Sequence, residues 1–158
     1  MESTSNILYY GFSLKVIHRQ NPKQFKVHTF GPEVQSLTIG RRGQGSSQPD
    51  LILTPDNRYI SRLQAIIERT GKRFTLAHHG ANQNTFLNDR PIYEVIGKKN
   101  KLNDGDKIRF DFDNDSDGFL IHFSVIKKAR GSLTQIADVL AERINSIYPQ
   151  HGEQLGFE

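Results

Sequence analysis

The chain has no cysteine and no tryptophan among its 158 residues. Without cysteine there is no disulfide framework, no thiolate nucleophile and no cysteine-ligated zinc. Thiol-based redox chemistry is excluded with them. No apolar run approaches the length of about 20 residues that a membrane span requires. The N-terminus, Met1-Glu2-Ser3-Thr4-Ser5-Asn6, lacks a basic region followed by an apolar stretch. The sequence therefore reads as a soluble intracellular protein, cytoplasmic or nuclear, with no membrane partner.

Signatures of enzymes are missing as well. No Gly-x-Ser-x-Gly elbow surrounds any serine, and no carboxylate pair stands out from the acids of turns. The polar, Gly-rich stretch Gly43–Gln48 lacks the Gly-Lys-Ser/Thr ending of a nucleotide-binding P-loop and reads as a flexible loop. Asp113, Asp115, Asp117 and Gly118 mimic the first half of a calcium loop, but the twelfth position, where that loop needs a bidentate Glu, is Ser124. His78 and His79 have no second ligand at a metal-site spacing and read as exposed loop residues. No metal, no cofactor and no catalytic residue is expected.

What the chain does have is a modest excess of positive charge, +4 overall. Residues 129–158 hold Arg130 and Arg143 against Asp138, Glu142, Glu153 and Glu158, so residues 1–128 carry 19 basic and 13 acidic side chains, or +6. A basic body favours anionic partners: phosphopeptides, acidic surfaces or nucleic acid.

Period-two patterns dominate the body. Phe119, Ile121, Phe123 and Val125 alternate with Leu120, His122, Ser124 and Ile126, and Ile108, Phe110 and Phe112 alternate with Lys107, Arg109 and Asp111. The stretch Asp113–Gly118 between them has turn composition and predicts a hairpin. Further short strands are predicted at Ser13–His18, Phe25–Thr29, Leu37–Gly40, Leu51–Leu53, Ala65–Arg69, Phe74–Ala77 and Thr85–Leu87. Many short strands at close spacing imply an all-β antiparallel sandwich or a barrel.

After Lys128 the pattern becomes helical. Leu133, Ile136, Leu140, Ile144 and Ile147 recur at three and four residues, Ser132 with Gln135 forms a capping box, and Pro149 ends the stripe. The expected organisation is an N-terminal arm over 1–12, a sandwich over 13–128, and a C-terminal amphipathic α-helix with tail over 129–158. The apolar face of residues 132–148 either packs on the sandwich or makes a homo-oligomer.

Three short motifs follow one another on the predicted strands and loops: Thr38-Ile39-Gly40-Arg41, Tyr59-Ile60-Ser61-Arg62-Leu63-Gln64-Ala65, and Gly80-Ala81-Asn82-Gln83-Asn84-Thr85-Phe86-Leu87-Asn88. A phosphorylated side chain, one of the anionic partners a basic body favours, carries a charge near −1.5 to −2 and three acceptor oxygens. It asks for a fixed cation and several neutral donors. Arg41, where a strand ends after Gly40, can present a planar fork to two phosphate oxygens. Ser61 can add a hydroxyl and a backbone N–H, and either Arg62 or Arg42 can supply a second positive charge.

Taken together the motifs resemble a forkhead-associated (FHA) domain, over roughly residues 14–127. In that family a Gly-Arg, a Ser-Arg-x-His and an Asn-Gly-Thr-Phe recur in this order on loops at one end of a β-sandwich and bind a phosphothreonine peptide. The resemblance implies that Arg41, Ser61 and Arg62 hold the phosphate, that Asn82 touches the phosphate or the threonine region, and that Gln83 takes the place of the Asn that bonds the peptide main chain. Gly40, Gln64, Asn84, Thr85 and Asn88 are the supporting residues it implies. Three positions depart from the pattern: Gln64 replaces a structural His, Asn84 a Gly whose positive φ Asn tolerates, and Gln83 an Asn one methylene shorter.

The function this implies is a phosphothreonine-peptide-binding signalling module that mediates phosphorylation-dependent protein–protein interaction, its partner being a protein phosphorylated by a Ser/Thr kinase. The rival readings are a phosphate-independent scaffold or oligomerisation domain, a regulatory module of a larger signalling protein, and a basic nucleic-acid-binding module. Against the last, tryptophan is absent and the aromatic residues mostly follow the inward strand period, leaving few stacking platforms.

Overall fold

The computed structural model describes residues 7–112 and 117–129. The chain divides into two compact units, Gly11–Ile126 and a second made of Met1–Tyr10 with Lys127–Glu158. The sandwich core and the candidate site lie in the first. The helix expected at 132–148 falls outside the described residues.

The described residues form strands and turns only. In chain order the strands are β1 (Ile7–His18), β2 (Phe25–Phe30), β3 (Ser36–Arg41), β4 (Leu51–Leu53), β5 (Ala65–Thr70), β6 (Arg73–His78), β7 (Thr85–Leu87), β8 (Arg90–Pro91), β9 (Asn100–Leu102), β10 (Lys107–Phe110) and β11 (Phe119–Ala129). One sheet has the order β2-β1-β11-β10-β7-β8 and the other β4-β3-β5-β6-β9. The expected all-β sandwich is what the chain adopts, and each strand read from periodicity is present.

The alternation of apolar and polar residues buries one face of each sheet. Phe12 and Leu14 of β1, Ile108 and Phe110 of β10, and Phe119, Ile121 and Phe123 of β11 meet Leu37 and Ile39 of β3, Ile67 of β5 and Leu76 of β6 in one core. Aromatic rings join the layers. Phe74 of the second sheet lies edge-on to Phe12 at 5.4 Å and to Phe123 at 5.2 Å, both from the first.

The sheets are not wholly antiparallel. β3 and β4 run parallel, with Ile39 opposite Leu51 and Arg41 opposite Leu53. A parallel neighbour requires the chain to return to the strand's starting end. Residues 42–50 manage this because β4 is only three residues long. The return is fixed by a reciprocal pair: Thr38 N–H donates to Asp50 Oδ2 at 2.9 Å and Asp50 N–H to Thr38 Oγ1 at 2.8 Å.

β8 and β9 were not visible as periodic segments, since two and three residues are too short to show a period. β7 and β8 join through Asn88 and Asp89, both at positive φ (51° and 66°). Two consecutive left-handed residues make the hairpin turn whose twist matches the strands.

Candidate functional site

Gly40, near the end of β3, has no side chain because none fits. A Cβ there would lie 1.9 Å from the Arg62 carbonyl oxygen and 2.7 Å from that of Ser61. The close approach brings β3 against the loop from Tyr59 to Gln64, and Arg41 N–H donates to Ser61 O at 2.9 Å. The Arg41 side chain, half-buried, then donates from Nε to Ile60 O at 2.9 Å. That bond fixes the plane of the guanidinium, leaving its two terminal nitrogens as the donors for a ligand.

Ser61 is held from both sides. Its Oγ accepts the Ala81 N–H at 2.8 Å, which aims the hydroxyl's own hydrogen away from that amide. Its backbone N–H, expected as a ligand donor, is committed: it donates to Gln64 Oε1 at 2.9 Å. Ser61 therefore offers one donor rather than two, because the buried Gln64 carboxamide needs a partner for its oxygen.

Gln64 is fully buried. Its Nε2 donates to Asn84 Oδ1 at 3.0 Å and to Thr85 Oγ1 at 2.8 Å. Its backbone N–H bonds Ile39 O at 2.8 Å and its carbonyl accepts the His79 N–H at 2.9 Å. One side chain thus ties the Ser61 loop to β7 with all of its polar atoms used. Gly80 is required alongside, since a Cβ there would meet Gln64 Oε1 at 2.7 Å.

The third loop is tied to the same hub. Asn82 Nδ2 and Asn84 Nδ2 both donate to the Tyr59 carbonyl, at 3.0 and 2.8 Å. Asn84 is buried, and positive φ among the described non-glycine residues is confined to Asn88 and Asp89. Its place therefore rests on its carboxamide, which joins Gln64 to Tyr59, and not on the left-handed backbone expected for a Gly substitute. Arg62, Arg42 and Gln83 are exposed. β3 ends at Arg41, so Arg42 lies beyond the strand.

Asn88 sits elsewhere. It donates from Nδ2 to Asp106 Oδ1 at 2.9 Å and accepts the Lys107 N–H at 2.9 Å, so it fastens the β7–β8 turn to the start of β10.

His78 corrects an expectation. It was read as an exposed loop residue, yet it is the last residue of β6 and is buried, 1 % exposed. Its Nδ1 lies 2.6 Å from Thr85 Oγ1, extending the Gln64 network. Burial holds its pKa below the ordinary 6.5, a hydrogen bond with the Gly80 backbone opposes that shift, and the charge of His79 adds to it. The signal was in the sequence: Phe74, Leu76 and His78 follow one inward period. Asn57 was missed as well. It is buried, accepts the Tyr59 N–H on Oδ1 at 2.9 Å and, through its carbonyl, the Ile60 N–H at 2.9 Å, shaping the loop that carries Ser61. Asp56-Asn57 is a side-chain turn signature.

The hairpin acids have structural employment where they are described: Asp117 Oδ1 lies 2.7 Å from His18 Nε2, and its carbonyl accepts from Asn57 Nδ2. No group of His and carboxylates suited to a metal occurs among the described residues. Nor is any helix there long and apolar enough to cross a membrane.

The sequence of residues 37–111 matches the family model of the FHA domain. No curated protein matches the sequence. Among solved structures, the chain resembles the N-terminal FHA domain of S. cerevisiae Rad53p in complex with a phosphothreonine peptide, with 16 % identity, a TM-score of 0.56, and coverage of 71 % of this chain and 92 % of that one. It resembles full-length yeast Pml1p with 13 % identity, a TM-score of 0.62, and coverage of 80 % and 87 %. The FHA domain of an Arabidopsis thaliana protein matches with 16 % identity and a TM-score of 0.57, covering 78 % of this chain and 92 % of its own. The motif residues, the two-sheet fold and the family model agree on an FHA domain, matched over residues 37–111.

Proposed function

We infer that this domain binds phosphothreonine peptides and mediates phosphorylation-dependent association between proteins, without catalysing a reaction. The observation that carries the reading is the Arg41–Ser61 pair: a guanidinium oriented by Nε on the Ile60 carbonyl, beside a hydroxyl whose oxygen is already satisfied by the Ala81 amide. Fixed donors of this kind are what a phosphate needs. Arg62 adds charge, Asn82 lines the site from the third loop, and Gln83, exposed, faces the peptide main chain. The ligand is the product of a Ser/Thr kinase, which places the domain's work in the cytoplasm or nucleus, as a free-standing reader or as the regulatory module of a larger signalling chain.

The test is titration with matched phosphothreonine, phosphoserine and unphosphorylated peptide libraries. Binding restricted to phosphothreonine is expected, and Arg41→Ala should weaken it by about 2–5 kcal/mol, the loss typical of a buried charge pair deprived of one partner. A loss below about threefold by calorimetry, under 0.7 kcal/mol, would remove Arg41 from the anchor role.

A phosphate-independent scaffold is the second reading, favoured by Gln83, whose longer amide reaches the peptide backbone differently from Asn. It predicts equal affinity for a partner with and without phosphate.

A further inference from the structure

Among the described residues, the second sheet ends at β9. β9 has one hydrogen-bonded neighbour, β6, among the described strands, with Thr75 opposite Lys101 and Leu76 opposite Asn100. Beside this edge lies a groove of about 590 Å³ whose lining includes Lys72, Arg73, Thr75, Lys99, Lys101 and Asn103, and no acid. Of the acids near it, Glu68, on β5 opposite Thr75, pairs with Lys99 at 3.1 Å, and Asp106 accepts the Asn103 N–H on Oδ2 at 2.7 Å.

The cations have a spacing. Lys99 and Lys101 are two residues apart along β9 and its approach, and Arg73 and Thr75 two apart along β6, so each pair shares a face and is separated by about 6.6 Å. Lys99 remains 63 % exposed despite its pairing. Such a ladder matches side chains at every second position of one more extended strand. Opposite charges directly across strands attract, and backbone groups of an edge strand are free to bond a newcomer.

We propose that β9 is a docking edge for an extended acidic peptide with carboxylates at alternate positions, added to the sheet beside Lys99 and Lys101 and independent of phosphothreonine. Lysines on an edge strand ordinarily deter pairing with a second chain. They deter another copy of this basic domain; toward an acidic segment the same charges attract. Nucleic acid fits the groove less well, because Phe74, its aromatic lining residue, is 3 % exposed and offers no ring to a base.

The experiment is fluorescence anisotropy at low salt with an eight-residue unphosphorylated peptide alternating Glu and Thr. Its comparators are the same residues in two blocks and polyuridylate. Binding of the alternating peptide, unchanged by Arg41→Ala and weakened at least about tenfold by the double variant Lys99→Glu/Lys101→Glu, supports the proposal, as does slowed amide exchange at Asn100–Leu102. Both lysines are exposed, so the double variant should fold, which circular dichroism checks. The proposal is overturned by no binding, by equal or tighter binding of the block peptide or polyuridylate, or by a charge-reversal effect under twofold. Because Arg41 is not involved, failure here leaves the phosphothreonine reading standing, and the converse.

Discussion

At the scale of single residues, Gln64 decides how well the site is built. Its carboxamide satisfies Ser61 N–H, Asn84 Oδ1 and Thr85 Oγ1 in a fully buried position. Gln64→Leu keeps the volume, strands the Ser61 N–H and Asn84 Oδ1 and leaves Thr85 Oγ1 with His78 Nδ1 alone, so unfolding free energy should fall by about 3 kcal/mol in urea titrations, since each orphaned buried group costs about 1–3 kcal/mol. A change under about 1 kcal/mol would mean that water replaces the amide. His78 contributes a pH dependence. Its folded-state pKa is lowered, chiefly by burial, so the unfolded chain binds a proton at a higher pH than the folded one. Stability is fully present above the ordinary 6.5 and is lost as pH falls from there toward the folded value. His28 and His122, lowered by burial and by neighbouring lysines, act in the same direction. Denaturation between pH 7.5 and 5 should therefore show falling stability, less steep in His78→Gln; an identical slope would take His78 out of the effect.

At the scale of elements, the β7–β8 turn holds a non-glycine residue where glycine is at home. Asp89, at φ 66°, carries left-handed strain, while its carboxylate is 89 % exposed and 3.4 Å from Arg109. The strain is worth about 1–2 kcal/mol and the exposed ion pair under about 1 kcal/mol, so Asp89→Gly should raise the melting temperature. A lowered melting temperature would show that the ion pair outweighs the backbone. The strands themselves were legible because their apolar residues repeat every second position, as in Phe119 to Val125. What could not be read was pairing. Nothing in Leu51-Ile52-Leu53 distinguishes a parallel from an antiparallel neighbour, and that arrangement depends on Thr38 and Asp50 exchanging hydrogen bonds across twelve residues. The site was legible as residue types in order. Which donors were already spent, such as the Ser61 amide and the Asn82 Nδ2, depends on contacts between loops that no local pattern encodes.

For the whole molecule, the two sheets are joined through Phe12, Phe30, Phe74 and Phe123, with ring centroids 5.0–5.9 Å apart in three of their pairings around Phe12. Phe74→Ala should cost about 3–5 kcal/mol, a large share of the 5–15 kcal/mol that holds an ordinary domain together. Guanidinium unfolding followed by circular dichroism reads it, the chain having no tryptophan to report. A loss below about 1.5 kcal/mol would mean the layers close over the gap. Because Arg41 Nε is tied to Ile60 O and Asn82 to Tyr59 O before any ligand arrives, little of the receptor remains to be frozen upon binding. The entropy of association then falls on the peptide, and affinity among otherwise equal ligands should follow their stiffness: a proline that holds the segment after the phosphothreonine extended would tighten binding without touching the protein anywhere new.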